Sequence, residues 1–183
     1  LIASKNGNIT LGDLGATTSI NKISSLSMTT EGGAISIGNI KAKKIDAFNA
    51  SGNEFSSISI GNIEISEAID LITLSGDTSI TLGNFTGDGT VKLDASNMTK
   101  MGINLNFSAL RGSVDVTATG EDDLISLGIE GGKVMSGGGN DNIIVAANAT
   151  GNSDITTGDG VDIITLSAQS GIDIVKPGGT SVN

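Results

Sequence analysis

The sequence predicts an all-β chain wound as a parallel β-helix, or β-solenoid, with very little helix. Composition is the first sign. Of 183 residues 37% are apolar, enough for a sizeable core, yet aromatics are only 2%, with four Phe and no Trp or Tyr. The core must then be built from Ile, Val and Leu, whose branched side chains suit pleated strands, while abundant Gly and Asn suit turns. Repetition is the second sign. ITLGDL at Ile9 returns as ISIGNI at Ile35, ISIGNI at Ile58 and ITLGNF at Ile80, placing Gly12, Gly38, Gly61 and Gly83 at intervals of 26, 23 and 22 residues. Short alternating segments bounded by Gly, Asn, Asp and Ser at such an interval fit the rungs of a solenoid.

Taken in order along the chain, the phrases divide into two stretches. From residue 1 to 117 the rungs run at about 22–26 residues, and KKIDAFNAS (Lys43 to Ser51) against VKLDASNMT (Val91 to Thr99) repeats over two rungs, with Asp46 and Asp94 separated by 48. From 118 to 183 the interval tightens to 19–21: DLISLG, NIIVAA and DIITLS start at Asp123, Asn142 and Asp162. One continuous solenoid with a change of rung type is expected. Roughly eight rungs stacked at strand spacing make a rod of about 40 Å. The rival, an antiparallel sandwich, needs hairpin turns, and Asn-Gly occurs once and Asp-Gly twice, thin for that fold.

Charge limits the function classes. Residues 1–110 carry seven Lys against ten acids, net −3, while 111–183 carry Arg111, Lys133 and Lys176 against ten acids, net −7. An acidic surface without a basic stripe argues against nucleic acid and favours a cation as partner. Cys and His are absent, so soft-ligand metal sites and Cys or His nucleophiles are excluded and only oxygen ligands remain. No apolar run reaches the 18 or so residues of a membrane span. The chain starts at Leu1, and a piece of a longer chain is expected.

Two loops in this acidic part share one pattern. Ser136-Gly137-Gly138-Gly139-Asn140-Asp141-Asn142-Ile143-Ile144 and Thr157-Gly158-Asp159-Gly160-Val161-Asp162-Ile163-Ile164-Thr165 each match G-G-x-G-x-D-x-U-x, where U is a large apolar residue, everywhere but the first position. Glycines let turn carbonyls face an ion, Asp adds a carboxylate, and the apolar residue re-enters the core. One loop cannot supply the six to eight oxygens that calcium takes, but two stacked loops can. Gly120-Glu121-Asp122-Asp123-Leu124 is a third, weaker copy, so Asp122, Asp141 and Asp162 are expected to stack on one edge. Gly171-Ile172-Asp173-Ile174-Val175 is fainter and places Asp173, with Asp154, on the opposite edge. The expected metal residues are therefore Asp122, Asp141, Asp162 and Asp173, with Gly120, Gly137, Gly139, Asn140, Gly158 and Gly160 shaping the loops. Asp70, Asp88 and Asp94 read as ordinary turn carboxylates that bond their own backbone.

These nonapeptides resemble the calcium-binding repeats of RTX proteins. The resemblance implies a β-roll-like C-terminal part, export by type I secretion and folding on extracellular calcium. The wider style, KIDAFNASG and KLDAS phrases leading into SISIGNI and then into Gly-Asp loops, is similar to surface-layer (S-layer) proteins of Gram-negative bacteria. That likeness implies a secreted, non-enzymatic, self-assembling cell-surface module, whose parent chain would meet cell-surface polysaccharide or lipopolysaccharide through other parts. An RTX adhesin or toxin passenger presenting a binding face is the alternative. A polysaccharide-modifying β-helix enzyme is a third: Glu64 with Glu67, or Asp122 with Asp123, could flank a glycosidic bond, but one Arg and no His, Tyr or Trp leave little to hold a sugar acid. Lys41, Lys43 and Lys44 read as a solvated face or a subunit contact.

Overall fold

A computed structural model describes residues 1–15, 17–167, 170–171 and 173–178. Among them every regular element is a strand and every strand pair is parallel, stacked as a β-solenoid of about eight turns. No helix is long and apolar enough to cross a membrane among the described residues. Alternation is what makes the stack. In Ala34–Ile37 and Ser57–Ile60 the isoleucines Ile35, Ile37, Ile58 and Ile60 point inward and are buried, and Ile35 lies in register with Ile58 and Ile37 with Ile60. Each inward residue meets its like on the next rung, so one period-2 pattern repeated at rung length fixes the register.

The cross-section changes along the rod. The second rung has three strands, Leu26–Thr30, Ala34–Ile37 and Ile40–Ile45; the third has Phe48–Gly52, Ser57–Ile60 and the first half of the long Ile63–Gly76, which turns the corner into the fourth. From residue 124 onward each rung has two: Leu124–Leu127 with Gly132–Met135, Asn142–Val145 with Ser153–Thr156, and Ile163–Leu166 with Asp173–Lys176. Thr90–Met98 makes the change. It pairs backward with Ile63–Gly76 at both ends, Val91 with Ile69 and Asn97 with Ser75, through two register shifts. It pairs forward with Val114–Thr117 only through Val91 to Asp94. One side of the triangle ends there, which accounts for the shorter circuit beyond it.

Side-chain size follows the cross-section. The three-sided part buries Met28, Phe48, Phe85 and Phe107, and the Phe85 and Phe107 rings sit 4.7 Å apart between centroids, tilted by 37°. The two-sided part is filled by Ile125, Leu127, Val134, Ile143, Val145 and Ile155.

A line of ion pairs runs along the outside. Lys22 meets Asp46 at 2.7 Å, Lys44 meets Asp46 at 3.6 Å and Asp70 at 2.9 Å, Lys92 lies opposite Asp115, Asp115 opposite Lys133, Lys133 opposite Asp154, and Lys176 reaches Asp154 at 2.9 Å. Hydrogen bonding from Lys22 lowers the Asp46 carboxyl below its ordinary range, and hydrogen bonding to Asp70 raises the Lys44 ammonium. Exposed pairs of this kind add little stability each; Lys22 and Lys44 are themselves in register, and Asp46 pairs with both. Lys41, paired with Glu64 at 2.8 Å, and Lys44 are thus tied into ion pairs rather than forming a free basic patch.

Candidate metal-binding corner

The Gly-Asp loops lie at the corner that precedes Leu124–Leu127, Asn142–Val145 and Ile163–Leu166. Their glycines are there because the backbones of successive rungs touch. Gly158 and Gly160 have φ of 82° and 134°, and a Cβ on either would come within 1.7 Å of the Gly137 carbonyl or 1.6 Å of the Gly139 carbonyl. Gly137 and Gly139 likewise have positive φ. A side chain at these positions meets both a strained backbone and a neighbouring peptide.

Stacking brings Asp141 and Asp162 together as the sequence spacing requires. Each later carboxylate accepts from the backbone of the rung before it: the Asp141 N–H donates to Asp162 Oδ1 at 3.0 Å, and the Asp123 N–H donates to Asp141 Oδ1 at 2.9 Å. The third member of the column is therefore Asp123, not Asp122. Leu124 lies in register with Asn142, so the residue before each aligns Asp123 with Asp141, and counting 19 residues from Asp122 misplaces the column by one. Asp122 instead starts a parallel column: its Oδ1 accepts from the Asn140 N–H at 2.6 Å, and Asn140 Oδ1 accepts from the Val161 N–H at 2.9 Å. Gly120 differs from the other loop glycines as well, since a Cβ there meets nothing within 4 Å; Thr119 and Glu121 lie beneath Gly137 and Gly139.

Asp123 and Asp141 are 3% and 1% exposed and differ in how they are satisfied. Asp123 accepts from the Ile103 N–H at 2.7 Å, the Thr119 N–H at 2.9 Å and the Thr119 hydroxyl at 2.9 Å. Burial outweighs those bonds and raises its carboxyl from 3.8 to about 6. Asp141 is raised too, by burial first and then by the charges of Asp162 and Asp122. The Ser136 side chain and the Asp123 N–H beside it partly offset that rise; the Ser136 hydroxyl donates to the Thr157 carbonyl at 2.9 Å, and Asp141 Oδ2 is buried without a hydrogen bond of good geometry. A buried carboxylate oxygen so poorly partnered is costly unless a proton or a cation completes it.

A hard cation suits that oxygen. Calcium takes carboxylate and carbonyl oxygens together, and the corner offers Asp141, Asp162 and the glycine-rich turns. Among the described residues no three acidic side chains converge on one point, so backbone carbonyls and water would have to supply most of the shell. Asp173 lies at the opposite corner, where its Oδ1 accepts from the Ser153 N–H at 3.0 Å; its register partner among the described residues is Ser153 rather than another carboxylate. Asp154 belongs to the outer charge column. Ile172, part of the faint fourth loop, lies outside the described residues.

The other acids behave as turn or surface groups. Asp94 accepts from the Ser96 N–H and hydroxyl, Asp70 pairs with Lys44, and Asp88 lies 3.7 Å from Arg111. Glu64 is held by Lys41, and the Asp122 and Asp123 carboxylates belong to separate columns.

Sequence reasoning missed an Asx column at another corner. At the corner after the ITLG and ISIG strands, Asp13 Oδ1 accepts from the Asn39 N–H at 2.7 Å, Asn39 Oδ1 from the Asn62 N–H at 2.9 Å, Asn62 Oδ1 from the Asn84 N–H at 2.9 Å, and Asn84 Oδ1 from the Asn106 side-chain amide at 2.9 Å. The signal was present, since every repeated phrase ends in Gly-Asp or Gly-Asn. Comparison of the chain with protein-family models, with curated proteins and with solved structures finds no match.

Proposed function

We propose that this chain is a non-enzymatic structural module of a secreted bacterial cell-surface protein, of S-layer type, which calcium stiffens at the Asp141 and Asp162 corner and which assembles with further copies of itself. One observation carries the calcium part. The Asn column and the Asp column make the same bond, an Asx oxygen accepting a backbone N–H from the adjacent rung, but the Asp column does so with stacked charge and leaves Asp141 Oδ2 buried without a well-formed hydrogen bond. Asn suffices for the bond alone. Aspartate in its place calls for a counter-charge at strand spacing.

In this reading Asp141 and Asp162 hold the ion together with the turn backbones around Gly137 to Gly139 and Gly158 to Gly160, and Asp122 adds charge nearby. Calcium supplies positive charge and oxygen coordination there. Asp123, saturated by its own donors, closes the column on the three-sided side.

Calorimetric titration with calcium, paired with melting in calcium and in EDTA, tests the proposal. At a hundredfold excess over its Kd, a ligand bound only by the folded state adds about 2.7 kcal/mol, so the melting temperature should rise by several degrees. No heat of binding together with an unchanged melting temperature would sink the calcium part. Ordered sheets of the parent protein under the electron microscope test the lattice; dispersed particles in calcium would favour an adhesin or passenger instead.

A further inference from the structure

Asn-x-Ser/Thr, the acceptor sequence for N-linked glycans on secreted chains, occurs at Asn8, Asn49, Asn84, Asn97, Asn106 and Asn148. In a chain this rich in Asn, Ser and Thr the motif recurs by composition alone, so the sequence singles out none of them. The fold separates them. A folded acceptor needs a carboxamide free to turn toward the sugar donor and, two residues on, a hydroxyl free to meet the transferase. Asn8 Oδ1 accepts from the Ala34 N–H at 3.0 Å, and Asn84 Oδ1 from the Asn106 side-chain amide at 2.9 Å. Asn106 is tied again through its own Oδ1, which accepts from the Ser108 N–H at 3.0 Å and the Ser108 hydroxyl at 2.7 Å. Asn49 and Asn97 lie inside the strands Phe48–Gly52 and Thr90–Met98. Their hydroxyls are engaged as well: Ser51 Oγ shares a hydrogen bond with Thr29 Oγ1 at 3.4 Å, and the Thr99 hydroxyl donates to Asp77.

Asn148 differs on each count. It lies in the turn between Asn142–Val145 and Ser153–Thr156, on the opposite corner from the Gly-Asp loops, and has φ of 63°, the one positive φ outside glycine among the described residues. Asn tolerates that left-handed conformation better than most side chains do. Ala149 anchors the turn: it is fully buried, and its N–H donates to the Ala146 carbonyl at 3.3 Å, while the Thr150 N–H donates to the Ile129 carbonyl at 2.8 Å. On either side of that anchor Asn148 and Thr150 are exposed, and neither side chain hydrogen-bonds to another described residue.

We propose that Asn148 is an N-glycosylation site, with Thr150 supplying the hydroxyl that the transferase recognises. The co-substrate is a sugar carried on a diphosphate. Asn148 Nδ2 attacks the anomeric carbon and the C–N bond forms; the anomeric C–O bond breaks, its electron pair leaves on the diphosphate, and an amide proton passes to a base of the transferase. The glycan then projects from the side of the rod, clear of the Asp141 corner. The proposal rests on the secreted reading above and is independent of calcium.

Peptide mapping by mass spectrometry of the parent protein, purified from the cells that make it and paired with cell fractionation, is the test. A sugar mass should appear on the Asn148 peptide of the wild type. Asn148→Gln and Thr150→Ala should remove it with an unchanged circular dichroism spectrum, and Thr150→Ser should keep it. Supplying the folded chain with a nucleotide diphosphate sugar and cytosolic extract, or with a lipid-linked sugar and membranes, identifies the donor by which arm restores the mass. An unmodified Asn148 overturns the proposal: in protein found outside the cell it fails alone, and in protein held inside the secreted reading fails with it. Sugar on any of the other five sequons of the folded chain, or sugar retained at Asn148 in Thr150→Ala, overturns it as well.

Discussion

Two corners of the same rod solve one problem with different chemistry. At each, the strand ladder is interrupted by a turn, and a backbone N–H there needs an acceptor. The corner running from Asp13 through Asn39, Asn62 and Asn84 uses carboxamides after its first member, with each side chain accepting from the rung that follows. The corner of Asp123, Asp141 and Asp162 uses carboxylates, each later one accepting from the rung before. Carboxamides stack without charge and need nothing else. Stacked carboxylates repel unless neutralised, so the second corner is expected to respond to pH and cations more than the first, which holds one carboxylate, Asp13, at its end.

The largest expected effect comes from the backbone at the acidic corner. Gly160→Ala places a Cβ against the Gly139 carbonyl at a φ of 134°, and we expect a loss of about 3 kcal/mol or more, with hydrogen exchange speeding up in the last two rungs. Gly120→Ala is the control: its Cβ enters open space and should change stability by no more than about 0.5 kcal/mol. Equal losses at the two positions would mean that the loops are not stacked as described.

Acidity comes next. The Asp123 carboxyl is raised from 3.8 to about 6 by burial, so between those values the folded chain holds a proton that the unfolded chain has released. Stability is then fullest below pH 3.8 and declines as pH rises toward 6, by at most about 3 kcal/mol for this group. Asp141, raised in the same direction, adds to the decline. Melting in EDTA across pH 4 to 7 should show it, and calcium should offset it. A melting temperature that climbs steadily over that range would contradict the buried carboxylates.

Exchanging the two chemistries is a sharper and smaller test. Asp141→Asn keeps an acceptor for the Asp123 N–H and removes a buried charge; in EDTA at pH 7 it should match or exceed the wild type, while the gain from calcium falls. Asn62→Asp moves a carboxylate into the neutral column and should lower stability by about 1 kcal/mol at pH 7, less at pH 4. Smallest of all, Lys92→Ala in the outer charge column, 3.9 Å from Asp115, should cost under about 1 kcal/mol in urea melts, and less at high salt.

Much of this was legible in the chain. The ITLG and ISIG phrases gave the rung interval, and their two-residue alternation repeated at that interval is why Ile35, Ile37, Ile58 and Ile60 share one buried ladder. The glycines at 137, 139, 158 and 160 were legible for a local reason, that positive φ and close peptide contact exclude a side chain. Asp141 and Asp162 followed because identical loops stack identically. The choice between Asp122 and Asp123 was not legible, since either gives a plausible interval; the pairing of Leu124 with Asn142 decides it, and pairing is a property of two rungs. The Asn column was visible but silent, because a Gly-Asn turn reads the same whether its side chain bonds to its own loop or to the next rung.

The sequence by itself determined that the chain is all-β, that it winds in rungs, and that net negative charge and glycine are greatest in its C-terminal part. Those properties are written in periodicity and composition, which act residue by residue along the chain. The tertiary structure decided where three sides become two, which carboxylates share a column, that Asp141 carries a buried oxygen without a well-formed hydrogen bond, and that opposite charges meet between rungs from Lys92 to Asp154. Each of these depends on which residues 20 or so positions apart come into register, and that register is settled only when whole rungs pack against one another.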